Sequence, residues 1–169
     1  MTLMIGIIVL FCVIAFWNQP IYRNYTITTD KIKSHMNIVQ LSDLHSTKYG
    51  KNQKRLIKKI DEANPDLILL TGDIVDDMTQ EVNAYVLLKD LVTKYPLYYV
   101  DGNHEVWHHD TENIYQEIRD IGVHILYNTK ETISINGESI VLAGIMDPSE
   151  HKERAKESTV KANLDLIDW

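Results

Sequence analysis

The stretch Asp66-Leu67-Ile68-Leu69-Leu70-Thr71-Gly72-Asp73 joins a short apolar run to a Gly-Asp turn. An apolar run of this length bounded by turn residues predicts a β-strand. Two other segments share the design: the run Asn37–Leu41 precedes Asp43-Leu44-His45, and the run Leu97–Val100 precedes Gly102-Asn103-His104-Glu105. The first motif lies 30 residues before Gly-Asp and the last lies 30 residues after it, which is about one strand-helix-strand unit. The pattern therefore predicts successive parallel strands, each followed by a polar motif.

These polar motifs predict a metal site, because the carboxyl ends of parallel strands form the edge where open α/β sheets bind ligands. Asp43 and His45 flank one residue, so in an extended or tight-turn backbone both side chains can reach one ion. Each motif alone has an ordinary explanation as a strand-capping turn, a helix-entry acid or a helix N-cap. The combination of carboxylate, imidazole and amide at one edge instead favours a metal-dependent hydrolase.

Size and charge limit the classes of function. With 169 residues, the chain has room for one domain with a hydrophobic core. Its net charge of −7 argues against nucleic acid as a stable partner, because such binding depends on Lys and Arg neutralising phosphates. The single cysteine, Cys12, excludes a disulfide framework and a thiolate metal site.

The N-terminal segment Met1–Trp17 contains no charged side chain and is almost wholly apolar. We expect residues 1–20 to form an uncleaved, single-pass transmembrane anchor in the cell membrane. A cleavable signal peptide is the main alternative, but no basic residue precedes the run and no small-x-small site follows it. Residues 21–36 are expected to form a linker with an edge strand over Tyr25–Thr29. Basic residues after the anchor favour a cytoplasmic domain, but three of them leave the side of the membrane open.

Periodicity extends the strand-helix pattern along the rest of the chain. Helices are expected over residues 51–63, 79–94 and 111–121. Short strands are then expected over residues 123–126, 132–135 and 139–143, with Asn136-Gly137 as a hairpin turn between the last two. The sequence thus predicts an α/β fold in which a parallel half passes into antiparallel strands.

The three motifs resemble those of the calcineurin-like metallophosphoesterases, whose signature is Asp-x-His, then Gly-Asp, then Gly-Asn-His-(Asp/Glu). The resemblance covers roughly residues 37–147 and is greatest with the bacterial, membrane-anchored branch, which the later stretch Ile140–Pro148 also resembles. It implies an α/β/β/α sandwich over residues 37–169, incomplete at its C-terminus.

The resemblance also implies roles for particular residues. Asp43 and His45 would bind a first metal ion, Asp73 would bridge two ions, and Asn103 would bind the second. His104 would contact the phosphate and protonate the leaving group, so that Asp73 and His104 carry the catalysis. The cofactors would be two divalent ions, Mn, Fe or Zn, that activate a shared water as the nucleophile. The implied partner is a phosphoester substrate, and the membrane anchor favours a lipid-linked one.

Two alternatives stay open. Members of the family complete their metal site with later histidines in a Gly-His-x-His motif, whereas the histidines after Glu105 here stand in no such motif: His108, His109, His124 and His151. We therefore expect the N-terminal part of a longer protein, or else a catalytically incomplete, membrane-tethered metal-binding fragment. The stretch His104-Glu105-Val106-Trp107-His108 also fits the His-Glu-x-x-His pattern of zinc proteases, although Gly102-Asn103 before it disfavours the continuous helix which that motif needs.

Overall fold

The structure is a computed structural model that describes residues 6, 20, 22–76, 78, 81–148 and 158–167. Six strands and five α-helices are assigned within these residues, and a 3₁₀ turn over Lys51–Gln53 precedes the first helix. The strands are β1 (Ile38–Leu41), β2 (Leu67–Thr71), β3 (Leu97–Val100), β4 (His124–Ile125), β5 (Thr129–Ile135) and β6 (Glu138–Gly144). The helices are α1 (Lys54–Ala63), α2 (Val82–Leu91), α3 (Asn103–Trp107), α4 (Thr111–Ile121) and α5 (Ser158–Asp165).

The first four strands form a parallel sheet in the order β1-β2-β3-β4. Successive side chains of a strand point to opposite faces of its sheet. In β2, Ile68 and Leu70 belong to the core on one face, whereas Leu67 and Leu69 belong to the core on the other. Both faces of the strand are covered, which explains why its sequence is apolar throughout instead of alternating.

Helices cover one face of this sheet and a hairpin covers the other. Buried residues of α1, α2 and α4 pack with the sheet in the larger core cluster, for example Ile60, Leu88 and Ile118. The antiparallel pair β5–β6 packs on the opposite face, where Ile135 contributes to the second cluster. The predicted α/β architecture, with a parallel half followed by antiparallel strands, is therefore confirmed.

The turn of this hairpin shows why its sequence is diagnostic. Asn136 and Gly137 both have positive φ, 52° and 82°, as a two-residue turn of type I′ requires. Ile135 pairs with Glu138 directly across the turn. The predicted turn and both of its strands are confirmed, with β5 starting three residues earlier than expected, at Thr129.

Two further segments differ from the sequence prediction. The predicted edge strand over Tyr25–Thr29 is wrong: these residues have no regular structure and are exposed, because no strand among the described residues pairs with their backbone. The helix expected over residues 79–94 is shorter, Val82–Leu91, and residues 79 and 80 lie outside the described ones. Lys94 lies instead in the turn after α2, where its Nζ forms ion pairs with Asp90 and Asp61.

The predicted membrane anchor over residues 1–20 falls almost entirely outside the described residues. None of the helices in the described part of the chain has the length and apolar character needed to cross a bilayer. The anchor therefore stays a prediction from the sequence.

Candidate metal centre

Strand register brings the three polar motifs to one level of the sheet. Leu41, at the end of β1, pairs with Leu70, and Thr71, at the end of β2, pairs with Val100 at the end of β3. Each motif begins within two residues of these ends. The three motifs therefore start side by side at the carboxyl edge of the sheet, as the sequence predicts.

Backbone hydrogen bonds continue across the turns beyond the strand ends. The N–H of Asp43 donates to the carbonyl of Gly72 at 3.2 Å, and the N–H of His45 donates to the carbonyl of Asp73 at 2.8 Å. The N–H of Gly72 in turn donates to the carbonyl of Val100 at 3.0 Å. The turns are therefore fixed to one another, and not only to their own strands.

One residue from each motif contributes to a cluster of potential metal ligands. His45, Asp73 and His104 each offer a ligand atom, and these atoms lie within 4.8 Å of one another. We call these three residues the edge cluster. All three side chains are partly exposed, and the rings of His45 and His104 meet edge to face with centroids 4.4 Å apart.

The other predicted ligands lie beside the edge cluster. Asp43 is exposed and outside the cluster, and its carboxylate accepts a hydrogen bond from the Ser42 hydroxyl at 2.6 Å. Asn103 is the first residue of α3 and directly precedes His104. The expectation that Asp43 and His45 approach one ion together stays a prediction.

Two glycines allow the second and third motifs to touch. Gly72 has φ of 80°, and a Cβ atom on it would lie 2.9 Å from the Cα of Gly102. A Cβ on Gly102 would lie 2.6 Å from the backbone nitrogen of Asp73. Any side chain at either position would push the two turns apart, so glycine is needed here for close backbone approach.

Left-handed backbone is concentrated in the same turns. Asp43, His45 and Asp73 have φ values of 56°, 45° and 54°. This conformation costs roughly 1–2 kcal/mol for a residue that carries a Cβ, although Asp, Asn and His adopt it more readily than most. Strained residues of this kind cluster at functional sites, where the surrounding structure holds them in place.

A buried carboxylate lies between the two histidines. Oδ1 of Asp76 is 3.3 Å from Nδ1 of His104 and 3.6 Å from Nδ1 of His45, and Asp76 is only 7% exposed. Its own N–H donates to the Ser46 hydroxyl at 3.2 Å. Asp76 can thus orient the His104 imidazole by accepting from its Nδ1–H group, while at 3.6 Å it acts on His45 only as a nearby negative charge.

The geometry contradicts the His-Glu-x-x-His protease alternative. Such a site needs two histidines one turn apart on a helix and a glutamate facing the metal. Glu105 is instead fully buried, where its carboxylate accepts backbone N–H bonds, and burial raises its pKa although those bonds favour the charged form. His108 caps the end of the five-residue α3 and its Nε2 lies 3.0 Å from Glu81.

The other later histidines in the described residues also lie outside the edge cluster. The ring of His109 packs in a tilted arrangement against that of His108, with centroids 4.3 Å apart, and the ring of His124 stacks on Tyr98 with centroids 4.8 Å apart. His151 lies outside the described residues.

The chemistry of the edge cluster suits a transition metal. Two imidazoles and a carboxylate form a nitrogen and oxygen donor set, which manganese, iron and zinc all accept. Partial exposure leaves room for a substrate, and Asp76, 3.3 Å from Nδ1 of His104, supplies the kind of outer partner that metal-binding histidines usually have. The residues present therefore fit a divalent ion.

Sequence reasoning missed two residues of this site. From the sequence alone, Asp76 is interpreted as an ordinary acidic residue at the start of a helix, and Glu105 as the last residue of the third motif. Apart from the N–H of Gly102, the hydrogen-bond partners of the Glu105 carboxylate and of the Asp76 N–H are about 30 residues away in the chain. One signal was available, because Asp76 is three residues after Asp73 and a short turn can bring both carboxylates to one edge.

Comparison with known proteins agrees with the geometry. Residues 36–160 match the family model described as calcineurin-like phosphoesterase. That range contains the sheet, the hairpin and every residue of the edge cluster.

Three relatives illustrate the range of similar proteins. An "Uncharacterized metallophosphoesterase" of Helicobacter pylori is 27% identical over 76% of this chain and 34% of its own length. A "Transmembrane protein with metallophosphoesterase domain" of Danio rerio is 26% identical over 72% of this chain and 30% of its own length. A "Probable cyclic nucleotide phosphodiesterase" of Moraxella catarrhalis is 34% identical over 59% of this chain and 34% of its own length. The chain spans about a third of the length of the curated relatives it matches.

Proposed function

Because this chain belongs to the calcineurin-like phosphoesterase family, we propose that it is a metal-dependent hydrolase of phosphoester bonds. The observation that carries the proposal is the edge cluster, in which His45, Asp73 and His104 converge from three turns. A site with this donor set at the carboxyl edge of a parallel sheet is well placed to hold a phosphoryl group between an ion and an acid.

We assign the metal ligands as the motifs suggest. His45 and Asp73 would hold one divalent ion together with Asp43, and Asp73 and Asn103 would hold a second. Bound ions of this kind polarise a phosphoryl oxygen and lower the pKa of water, which supplies the nucleophile. A carboxylate between two ions suits a closely spaced pair, and the neutral Asn103 amide would leave the second ion electrophilic. The full sandwich of the family, α/β/β/α, belongs to the same proposal.

His104 would protonate the leaving oxygen. The Asp76 carboxylate, 3.3 Å from Nδ1, favours the tautomer with a proton on that atom and stabilises the imidazolium, which can give up its Nε2 proton. The partner carboxylate therefore prepares the ring for acid catalysis. The ring centroid of the half-exposed Trp107 lies 5.6 Å from that of His104.

The substrate class is proposed as a phosphodiester. The relative from Moraxella catarrhalis, named as a cyclic nucleotide phosphodiesterase, supports that class. The net charge of −7 means that the metal ions and the histidines must offset repulsion of an anionic substrate. A lipid-linked phosphoester at a membrane stays within the proposal, on the strength of the apolar N-terminal segment alone.

The test is hydrolysis of bis(p-nitrophenyl) phosphate with added Mn²⁺ or Zn²⁺. Turnover should need the metal and should be abolished by Asp73→Asn. A matched control is Asp66→Asn, because Asp66 accepts a backbone N–H of Asn37 at the opposite edge of the sheet. Turnover that survives both chelation and Asp73→Asn would overturn the proposal. Tight metal binding without turnover would instead favour the alternative function, a metal-binding protein that has no catalytic activity.

A further inference from the structure

We propose that Glu105 is a positioning residue, whose buried carboxylate holds two turns in the geometry that assembles the edge cluster. This inference rests on the proposed function. It assigns to Glu105 neither a ligand role nor contact with substrate, since the residue is 0% exposed.

Four backbone N–H groups donate to this one carboxylate. Oε1 accepts from Ile74 at 2.7 Å and from Val75 at 2.9 Å. Oε2 accepts from Asp73 and from Gly102, each at 2.9 Å. A carboxylate offers about four lone-pair sites, so these bonds use its full capacity. Consecutive N–H groups that converge in this way form an anion-binding nest, and here the anion is a side chain of the same protein.

Hydrogen bonds link Glu105 to every member of the edge cluster, and all of them pass through Asp73. The N–H of Asp73 is held by Glu105, while the carbonyl of Asp73 accepts the N–H of His45 at 2.8 Å. Oδ1 of Asp73 accepts the N–H of His104 at 3.0 Å. Fixing the left-handed backbone of Asp73 therefore fixes the directions of both histidine turns.

The chemistry requires a carboxylate of this length. A glutamine has only one acceptor oxygen. Its NH₂ group would face backbone N–H groups and could not accept hydrogen bonds from them. An aspartate keeps the charge but is shorter by one methylene, so it cannot reach both the Asp73 turn and the Gly102 turn from the same helical position. Both replacements should loosen the cluster while leaving its own side chains intact.

The experiment measures Co²⁺ binding to the full chain, by titration and by the visible absorption of the bound ion. Outer partners of metal sites typically change metal affinity by about 10–100-fold, so Glu105→Gln should weaken binding within that range and alter the spectrum. Glu105→Asp should fall between Glu105→Gln and the parent. Asp66→Asn is the matched control: it removes a carboxylate that also accepts a backbone N–H, and it should change neither affinity nor spectrum.

The outcomes separate this inference from the proposed function. Parent-like affinity and spectrum in a folded Glu105→Gln variant would overturn the positioning role alone. Absence of Co²⁺ binding by the parent protein would overturn both. If Glu105→Gln does not fold, amide exchange in the parent decides: slow exchange at Asp73, Ile74, Val75 and Gly102 supports the role, and fast exchange at these four overturns it.

Discussion

Nδ1 of His104 lies 3.3 Å from Oδ1 of Asp76, although the two residues follow different strands of the sheet. If this pair prepares His104 as the general acid, its removal should matter most when the leaving group is a poor one. We expect His104→Ala to slow hydrolysis of alkyl phosphodiesters by about 10²–10⁴-fold. Esters of p-nitrophenol should lose much less, because that leaving group departs without a proton. Steady-state rates on matched ester pairs provide the measurement.

Asp76→Asn serves as the companion variant, since it keeps the shape of the side chain but removes its charge. It should reproduce part of the same preference for good leaving groups. Equal losses for both ester types, together with weaker metal binding by His104→Ala, would show that His104 is a ligand instead.

Gly102→Ala should disturb the site through a single methyl group. The new Cβ would meet the backbone of Asp73 at 2.6 Å, so the two turns must separate. Overpacking of this kind typically costs about 1–3 kcal/mol in the free energy of unfolding, and here it should also weaken metal binding. Gly137→Ala is the control, because Gly137 also has positive φ but nothing lies within 4 Å of its Cβ position. It should lower stability without changing metal affinity, and a similar loss of affinity in both variants would contradict the prediction.

Asp43→Asn and His108→Ala separate the phosphoesterase from the rejected protease. We expect Asp43→Asn to reduce phosphodiester turnover, because Asp43 is assigned as a ligand. His108→Ala should leave the chemistry intact but lower stability by about 1–3 kcal/mol, since a buried partner of Glu81 is lost. Thermal unfolding and turnover are measured for each variant. Full turnover in Asp43→Asn would remove that residue from the ligand set.

The attachment of the segment before β1, at Lys33 and Ser34, to Glu138 should depend on pH. Its carboxylate accepts the N–H groups of Lys33 and Ser34 at 3.0 and 2.9 Å, and these bonds lower its pKa below the ordinary value. Because the folded-state pKa is depressed, the contribution is present above the ordinary glutamate pKa and is lost as the pH falls through the depressed one. Amide chemical shifts of Lys33 and Ser34 report this titration. It should vanish in Glu138→Gln, and a midpoint above the ordinary value would contradict the assignment.

Deletion of residues 1–17 tests the predicted anchor. The intact chain should sediment with membranes after a carbonate wash, because an apolar helix of this length stays in the bilayer. The deleted chain should stay in the supernatant. Recovery of the intact chain in the supernatant, or a mature N-terminus beyond Trp17, would show that no anchor is retained.

Local patterns were sufficient for the sheet and for the meeting of the three motifs at its carboxyl edge. The strand that ends at Thr71 and the hairpin turn at Asn136 are both specified by neighbours in sequence, so their structures match the predictions. Three of the four N–H partners of Glu105, and the Ser46 partner of Asp76, lie about 30 residues away in the chain, so neighbours in sequence do not identify them. Tyr25–Thr29 shows the converse, because alternating residues form a strand only when a neighbouring strand offers them hydrogen bonds.

The pairing of Thr71 with Val100 determines where residues can be inserted without disturbing the site. One residue inserted within β2 would displace Asp73 by about 3.3 Å and turn each following side chain to the other face. Residues inserted at the opposite edge, in the turn before β2 or before β3, would leave the alignment of the strand ends unchanged. The number of residues between the motifs can therefore change, whereas the lengths of the strands cannot. An epitope or fluorophore inserted near Asn64 or Tyr95 should leave the edge cluster undisturbed.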